Sequence, residues 1–225
     1  MFAPIILYDL NTEWEKIFPL GAPVSLHSKQ IACDTNYNGF YYVISGLVRL
    51  SILSENGEEK ILLYIGDGCL FNENPAIVNL GASIFTCMEP TKTIMFSKSI
   101  MTEQFIQNHP DLILNLFESS KKKIGAMATM LFHAKVNNTF SNTCKTLCSM
   151  LEHQQKNNMV VPRLSQQELA SLLGVHRTSL HQVLKRLQDE GIIGKYRRSE
   201  LQIIDKERLY RYAAQQIQPL PPAPK

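Results

Sequence analysis

The 225-residue chain lacks the features of secreted, membrane-spanning and disulfide-rich proteins. Its five cysteines stand at irregular spacing, and an odd count does not favour a disulfide framework. The opening MFAPIILYDL has neither a basic leader nor a small-residue cleavage site, and no apolar run has the length of a membrane span. We therefore expect a cytoplasmic protein with reduced thiols and no membrane partner.

Histidine is missing from residues 30–108. A metal-dependent enzyme built on a β-roll needs His and Glu ligands clustered on adjacent strands. The absence of histidine from these residues argues against a metal-dependent enzyme, and we expect neither catalytic residues nor a metal site.

Charge is unevenly distributed along the chain. Residues 1–162 carry 12 Lys and Arg against 14 Asp and Glu, whereas residues 163–225 carry 11 against 6, a net of +5. The overall charge of +3 hides this basic C-terminal end. A local cationic surface attracts a phosphate backbone, which points to nucleic acid as a partner.

Residues 165–191, SQQELASLLGVHRTSLHQVLKRLQDEG, carry the pattern of two short helices joined by a tight turn. Ser165 and Glu168 stand at capping-box spacing, which predicts a helix start. Gly174 can adopt the left-handed conformation that the turn needs. Apolar residues repeat at helical spacing on both sides of the turn: Leu169, Leu172, Leu173, Leu180, Val183, Leu184 and Leu187. The pattern is typical of a helix-turn-helix DNA reader, whereas an ordinary helical hairpin has no need of the turn glycine.

The segment after this pattern predicts a wing. Ile192 and Ile193, and then Leu201, Ile203 and Ile204, indicate two short strands. Between them lies the basic turn Lys195-Tyr196-Arg197-Arg198-Ser199.

Short strands dominate the region from about Ile31 to Phe96. Residues 41–46 and 48–53 flank a glycine, and residues 55–58 contain the Asn-Gly signal of a hairpin. Further strands are expected at residues 60–65, 84–88 and 93–96, with a turn at residues 66–68. Short strands joined by such turns predict an antiparallel barrel or roll.

A long helix is predicted after Pro110, reaching about Lys135. One intermittent apolar stripe is expected to run along it: Leu112, Leu116, Ile124, Met127, Met130 and Leu131. A helix of about 35 Å can connect two domains and pair with a second copy of itself. Asn137-Asn138 then indicates a hinge before another helix at residues 139–153.

The order of these parts resembles that of the Crp/Fnr superfamily of bacterial transcription regulators. Residues 42–50, Gly66-Asp67 and residues 164–193 carry the resemblance most specifically. Residues 57–64 and 88–93 are most similar to the branch that senses chlorinated phenols in halorespiring bacteria. The resemblance implies an α+β protein with an N-terminal β-roll, a long dimerisation helix and a C-terminal winged helix-turn-helix.

The resemblance also implies that the second helix reads DNA. The family uses an Arg-Glu-Thr-apolar-x-Arg run there, and the matching run is Arg177-Thr178-Ser179-Leu180-His181-Gln182. Thr178 and Gln182 replace the family glutamate and second arginine, so a different half-site is expected. Arg177 can bind guanine and Gln182 adenine through paired hydrogen bonds. The expected DNA contacts are Ser165, Gln166, His176, Arg177, Thr178, Ser179, His181, Gln182, Lys185 and Arg197.

Two effectors of the family fit this chain poorly. Cyclic-nucleotide members hold the phosphate with a Gly-Glu pair and an arginine on the neighbouring strand, because a buried phosphate needs a forked cationic donor. No arginine occurs between Arg49 and Arg163, and the matching position falls near Ala82. An iron-sulfur cluster needs four thiolates, whereas the N-terminal region offers only Cys33.

Other cofactor chemistries stay open as alternatives. A haem could take Cys69, Met88 or a histidine as a ligand, although no spacing singles out a pair. Cys144 and Cys148 share a helix face and could form a redox or metal pair with His153. The simpler interpretation is burial of both thiols against the first helix of the reader.

A small organic effector remains, and the resemblance implies an aromatic acid or a phenol. Lys123 matches a lysine that the phenol-sensing branch uses for the anionic oxygen, whereas the tyrosines expected beside it align with Leu63 and Ser120. The alternative is that residues 121–123 form a solvated basic run. The expected effector contacts are Leu63, Tyr64, Asn72, Glu73, Ser120, Lys123 and Met127.

These observations predict a homodimeric regulator. We expect a sensing roll at residues 1–109, a dimerisation helix and hinge at 110–137, a winged helix-turn-helix at 138–218 and a disordered tail at 219–225. The expected partners are double-stranded DNA, a small effector, a second copy of the chain and, for an activator, RNA polymerase. A pure dimerising scaffold is the other class to weigh.

Overall fold

The computed structural model describes residues 6–9, 13–33, 39–73, 82–136, 138–154 and 158–214. These residues divide into two compact units, one at residues 6–127 and one from Ala128 onward. The predicted α+β class is confirmed. Asn137 of the predicted hinge and the predicted tail at 219–225 lie outside the described residues.

Two β-sheets form the first unit. Its strands are β1 (Ile6–Leu7), β2 (Ala22–Leu26), β3 (Ile31–Cys33), β4 (Gly39–Ser45), β5 (Val48–Leu53), β6 (Glu59–Ile65), β7 (Leu70–Phe71), β8 (Ala82–Cys87) and β9 (Thr91–Ser97). One sheet has the order β1-β6-β5-β8-β3, and the other has the order β2-β9-β4-β7. Every pairing is antiparallel except the parallel pair of β1 with β6. The sequence prediction missed β1 and β2, which precede the strand-rich region, and the two-residue strand β7 within it.

The predicted turns hold the roll together. Gly57 has φ +82° in the turn between β5 and β6, as an Asn-Gly hairpin requires. Gly46 and Gly68 also have positive φ values, and a side chain at either position would collide with neighbouring backbone. The Asp67 carboxylate accepts a hydrogen bond of 2.9 Å from the Gly46 amide and so joins two of these turns.

Alternation along β4 divides the apolar residues between two clusters. Val43 lies in the cluster between the sheets, together with Leu63, Phe71 and residues from the neighbouring strands. Phe40 and Tyr42 face the other side, where the cluster also contains the fully buried Trp14 of the 3-10 helix Glu13–Leu20. Trp14 donates a 2.5 Å hydrogen bond to Asn115 in the long helix. Successive residues of a strand point to opposite faces, so one strand serves both clusters.

The long helix α2 (Pro110–Val136) follows the short helix α1 (Glu103–Asn108). The predicted length is correct, but the single predicted stripe is wrong. The residues that face the two sheets are buried or half-buried: Leu112, Leu116, Ser119, Lys123 and Ala126. Leu114, Phe117, Ile124 and Leu131 are exposed and lie on a roughly opposite face. The prediction merged these two faces, because both repeat at intervals of three and four residues.

Helices make up most of the second unit. They are α3 (Thr139–Gln154), α4 (Gln166–Leu173), α5 (Arg177–Asp189) and α6 (Lys206–Ala214), with short strands β10 (Met159–Val160) and β11 (Leu201–Gln202). The Asn138 side chain accepts a 2.8 Å hydrogen bond from the Ser141 amide and caps α3. None of the described helices combines the length and apolar character of a membrane span.

Candidate nucleic-acid interface and effector region

The helix pair α4–α5 has the geometry that the sequence predicts. The Ser165 hydroxyl accepts from the Glu168 amide at 3.2 Å, and the Glu168 carboxylate accepts from the Ser165 amide at 2.6 Å. Gly174 ends α4 in the left-handed conformation, with φ +67°. Leu169 and Leu172 on α4 and Leu180, Leu184 and Leu187 on α5 are buried. This packing fixes the angle between the two helices.

The polar face of α5 is open to solvent. Arg177, Thr178, His181, Gln182 and Lys185 are exposed and share one face at spacings of one, three and four residues. His176, at the N-cap, is also exposed, whereas Ser179 is half-buried at the margin of this face. A ring nitrogen of His181 lies 3.3 Å from the Gln166 amide oxygen, so the start of α4 adjoins the same surface. Forked donors and small hydroxyls on an exposed helix face are suited to base edges and phosphates.

The wing differs from its prediction in how its strands pair. β11 pairs with β10, and Ile193 forms only a single bridge with Ile203. No strand is predicted at residues 159–160, because nothing local to them reveals a partner about 40 residues away. The pairing ties the wing to the segment that precedes α4.

Only part of the predicted basic turn is exposed. Lys195, Arg197 and Arg198 are exposed, whereas Tyr196 is buried and donates a 2.9 Å hydrogen bond to the Leu164 carbonyl. Arg197 forms an ion pair with Glu200 at the tip. The wing therefore presents cationic side chains on a turn that Tyr196 anchors.

Lys123 is buried in a polar cluster between the roll and α2. Its ammonium donates to the Leu70 carbonyl at 2.7 Å and to the Ser119 hydroxyl at 3.2 Å, and it forms an ion pair with Glu73. The Ser119 hydroxyl also donates to the same Glu73 carboxylate at 3.1 Å. Lys121 and Lys122 are exposed, so the alternative of a solvated basic run holds for these two residues but not for Lys123.

The structure brings together only some of the predicted effector residues. Glu73 and Lys123 are in direct contact, and Ser119, which the sequence analysis missed, joins them from one helical turn before Lys123. Leu63 and Met127 belong to the apolar cluster between the sheets. Ser120 is half-buried beside Ser119 on α2.

Two predicted effector residues, Tyr64 and Asn72, are not among the contacts of Lys123. Tyr64 follows Leu63 on β6, so its side chain points to the opposite face of the sheet. The Asn72 amide is buried and donates a 2.8 Å hydrogen bond to the Gly39 carbonyl. Adjacent residues of a strand point to opposite faces, so Leu63 and Tyr64 do not share the effector region.

The thiols of Cys69, Cys87, Cys144 and Cys148 are buried. Burial raises the pKa of Cys69, Cys144 and Cys148 to about 12 and also raises the pKa of Cys87. Cys144 and Cys148 lie on α3, which contacts α6, α5 and, over fewer residues, α4. Within the described residues, no three His, Cys, Asp or Glu side chains are grouped as metal ligands would be.

Two domain families match the sequence. The Crp-like helix-turn-helix domain matches residues 143–212, and the cyclic nucleotide-binding domain matches residues 31–108. The cAMP-activated global transcriptional regulator CRP of Pasteurella multocida is 24% identical over 161 residues, which cover 69% of this chain and 77% of that protein. The corresponding regulator of Haemophilus influenzae is 23% identical over 158 residues, which cover 68% of this chain and 70% of that protein.

Solved structures share the fold at low sequence identity. A CprK variant in complex with OCPA has a TM-score of 0.75 and 19% identity, and the match covers 94% of this chain and 99% of that one. A CooA variant from Carboxydothermus hydrogenoformans has a TM-score of 0.77 and 16% identity, with coverage of 92% and 98%.

Cys144 and Cys148 should resist alkylation in the folded protein. A pKa of about 12 keeps both thiols protonated at pH 8, and their burial excludes the reagent. We expect iodoacetamide to label these sites in the native protein at under a tenth of the rate seen in urea, as measured by peptide mass spectrometry. Equal labelling of native and unfolded protein would contradict the buried placement.

Proposed function

Because the chain belongs to the Crp/Fnr family of transcription regulators, we propose that it binds a specific DNA site as a homodimer under the control of a small organic effector. The observation that carries this proposal is the exposed polar face of α5, held in place by the capped and buried α4. A recognition helix in the major groove reads base edges through such a face. The basic wing would add contacts to the phosphates.

The operator would differ from that of the usual family members. Arg177 at the start of α5 would bind guanine, and Gln182, exposed on the same face, would bind a neighbouring base. Thr178 stands where the family has glutamate, so the proposed half-site lacks the base contact that a carboxylate makes. Each well-formed pair of hydrogen bonds contributes about 1–3 kcal/mol of discrimination.

The exposed face of α2 supports the homodimer. Leu114, Phe117, Ile124 and Leu131 are between 62% and 76% exposed, which is unusual for a row of large apolar side chains. With Lys121 and Ala128 they follow the alternating three- and four-residue spacing of a coiled-coil seam. A second copy of α2 is the partner that this spacing fits. Lys121 at a seam position would favour one register at some cost in stability.

A cyclic nucleotide is not the effector that we propose, although the relatives named above are cAMP-activated regulators. The roll has no arginine after Arg49 to hold a buried phosphate, and Arg49 itself pairs with Glu59 at 2.8 Å. We propose instead a small organic acid or phenol, bound between the roll and α2 beside Lys123. The apolar cluster containing Leu63 and Met127 would surround its hydrophobic part.

Glu73 would compete with such an effector for Lys123. An ammonium has three N–H groups, and those of Lys123 face the Leu70 carbonyl, the Ser119 hydroxyl and the Glu73 carboxylate. An anionic effector would therefore bind Lys123 by displacing Glu73. The effector would shift the equilibrium between two arrangements of α2 by its differential affinity for them.

Replacing Arg177 tests the DNA-reading role. Arg177→Ala should weaken binding to the operator by about tenfold to a hundredfold and weaken binding to random DNA by much less, since a base contact is lost. Filter binding at two salt concentrations measures both affinities. Equal losses on the two DNAs would make Arg177 a phosphate contact.

A charge in the exposed face of α2 tests the dimer. Ile124→Lys should convert a dimer to a monomer, because it removes a central apolar contact and adds a second pair of facing ammonium groups to that of Lys121. Ile106→Lys is the matched control, since Ile106 is also an exposed isoleucine but lies on α1. Sedimentation equilibrium distinguishes the species. A monomeric wild type, or a dimeric Ile124→Lys variant, would contradict the proposed interface.

Removing the Glu73 carboxylate tests the proposed effector site, with phenylacetate as the probe. Glu73→Gln should cost about 3–5 kcal/mol of stability, because it leaves a buried ammonium without its counter-charge. Phenylacetate should then raise the thermal unfolding midpoint more in Glu73→Gln than in the wild type. The exposed Glu118→Gln serves as the control, and Lys123→Ala should abolish the response. No difference between Glu73→Gln and the wild type would argue against competition.

A further inference from the structure

A carboxylate lies at the C-terminal end of α5, where the helix dipole disfavours it. Glu190 caps this helix, and the partial charge of the exposed carbonyls there is negative. Acidic residues are therefore unfavourable at this position unless cations compensate for them. Two arginines and a tyrosine donate to Glu190, and these donors come from two different helices.

The contacts of Glu190 involve both of its carboxylate oxygens. Arg186 donates to one oxygen at 2.8 Å, whereas Tyr212 donates to the other at 2.8 Å and Arg208 does so at 3.3 Å. Arg208 also donates to the Glu190 main-chain carbonyl at 3.1 Å, which satisfies a free carbonyl at the helix end. Hydrogen bonds from Arg186 and Tyr212 hold the pKa of Glu190 below its usual value.

The same cluster extends to α3. The Arg186 guanidinium lies over the Phe140 ring, 4.4 Å from its centroid, and the Phe140 and Tyr212 rings meet edge to face at 5.1 Å. Phe140 is the second residue of α3. We call Phe140, Arg186, Glu190, Arg208 and Tyr212 the Glu190 node. It joins the first turn of α3, the end of α5 and the helix α6.

We propose that the Glu190 node sets the tilt of α5, so that Glu190 is a positioning residue for base-specific DNA reading, although it lies at the helix end farthest from Arg177. This inference rests on the proposed DNA-binding function. The length of the helix amplifies a small rotation. Its 13 residues span about 20 Å, so a tilt of about 3° at one end moves the other end by about 1 Å.

A displacement of this size affects the two kinds of DNA contact differently. Hydrogen bonds to base edges weaken steeply when their distances and angles change. Attraction between cationic side chains and phosphates is long-ranged and tolerates such a change. Loss of the Glu190 node should therefore lower binding to the operator and leave binding to random DNA nearly unchanged.

Asp189 provides a matched control. It is exposed, it is the last residue of α5 and it carries the same charge as Glu190. Glu190→Ala and Asp189→Ala each remove one carboxylate from the same end of the helix, so any general change in electrostatic attraction to DNA is common to both. The difference between the two variants then reports the loss of the Glu190 node.

The test compares affinities for two DNAs, the sequence that the wild-type protein selects from a random pool and an unselected pool. We expect Glu190→Ala to bind the selected sequence about tenfold more weakly than Asp189→Ala does. The affinities of the two variants for the random pool should agree within about twofold. Tyr212→Phe removes only the hydroxyl donor and keeps the ring against Phe140, so it serves if Glu190→Ala does not fold. We expect the affinity of Tyr212→Phe to fall about threefold for the selected sequence and to stay unchanged for the random pool.

Equal affinities of Glu190→Ala and Asp189→Ala for the selected sequence would overturn the proposal, and so would equal losses on both DNAs. Where Glu190→Ala does not fold, an unchanged affinity of Tyr212→Phe for the selected sequence would do the same. A wild-type protein that selects no sequence would instead overturn the proposed function, on which this inference depends.

Discussion

The long helix α2 has to satisfy two faces at once, and the packing of the roll, the burial of Lys123 and the proposed dimer all depend on this constraint. Its inward face packs Leu112, Leu116 and Ala126 against the roll, and Trp14 and Asn115 add a hydrogen bond at the same surface. Its outward face leaves large apolar residues in water. A helix with this pattern is stable as part of the roll and leaves an exposed apolar surface of the kind that marks interaction sites.

The buried polar cluster lies on the inward face. Lys123 would be costly there without a counter-charge, and Glu73, Ser119 and the Leu70 carbonyl provide its partners. A well-satisfied ion pair of this kind fixes the position of α2 along the roll. It also makes that position sensitive to anything that competes for the ammonium, which links the proposed effector to the proposed dimer helix.

Local signals allowed the helix pair α4–α5 to be predicted from the sequence. The capping box of Ser165 and Glu168, the turn at Gly174 and the apolar spacing of α5 each act within a few residues, and the structure contains all three. The hairpin turn at Gly57 is predictable for the same reason. Such features need no knowledge of the rest of the chain.

Long-range partners could not be predicted in the same way. The pairing of β10 with β11, the anchoring of Tyr196 and the contact of Glu73 with Lys123 join residues 32 to 50 positions apart in sequence, and no periodicity specifies them. The single stripe predicted for α2 failed because spacing alone does not say which of two faces a residue occupies. The Glu190 node combines residues of three helices, and only the i to i+4 pair Arg186–Glu190 leaves a signal in the sequence.

Selection of bound sequences from random DNA by the purified wild-type protein shows whether the chain reads DNA as a two-fold dimer. A two-fold dimer that places one recognition helix in each of two major grooves should enrich an inverted repeat whose half-sites lie about 10 base pairs apart, centre to centre. Guanine should be enriched within each half-site, because the proposed contact of Arg177 is with guanine. A pool without enrichment, or enrichment of a single unrepeated half-site, would contradict the account.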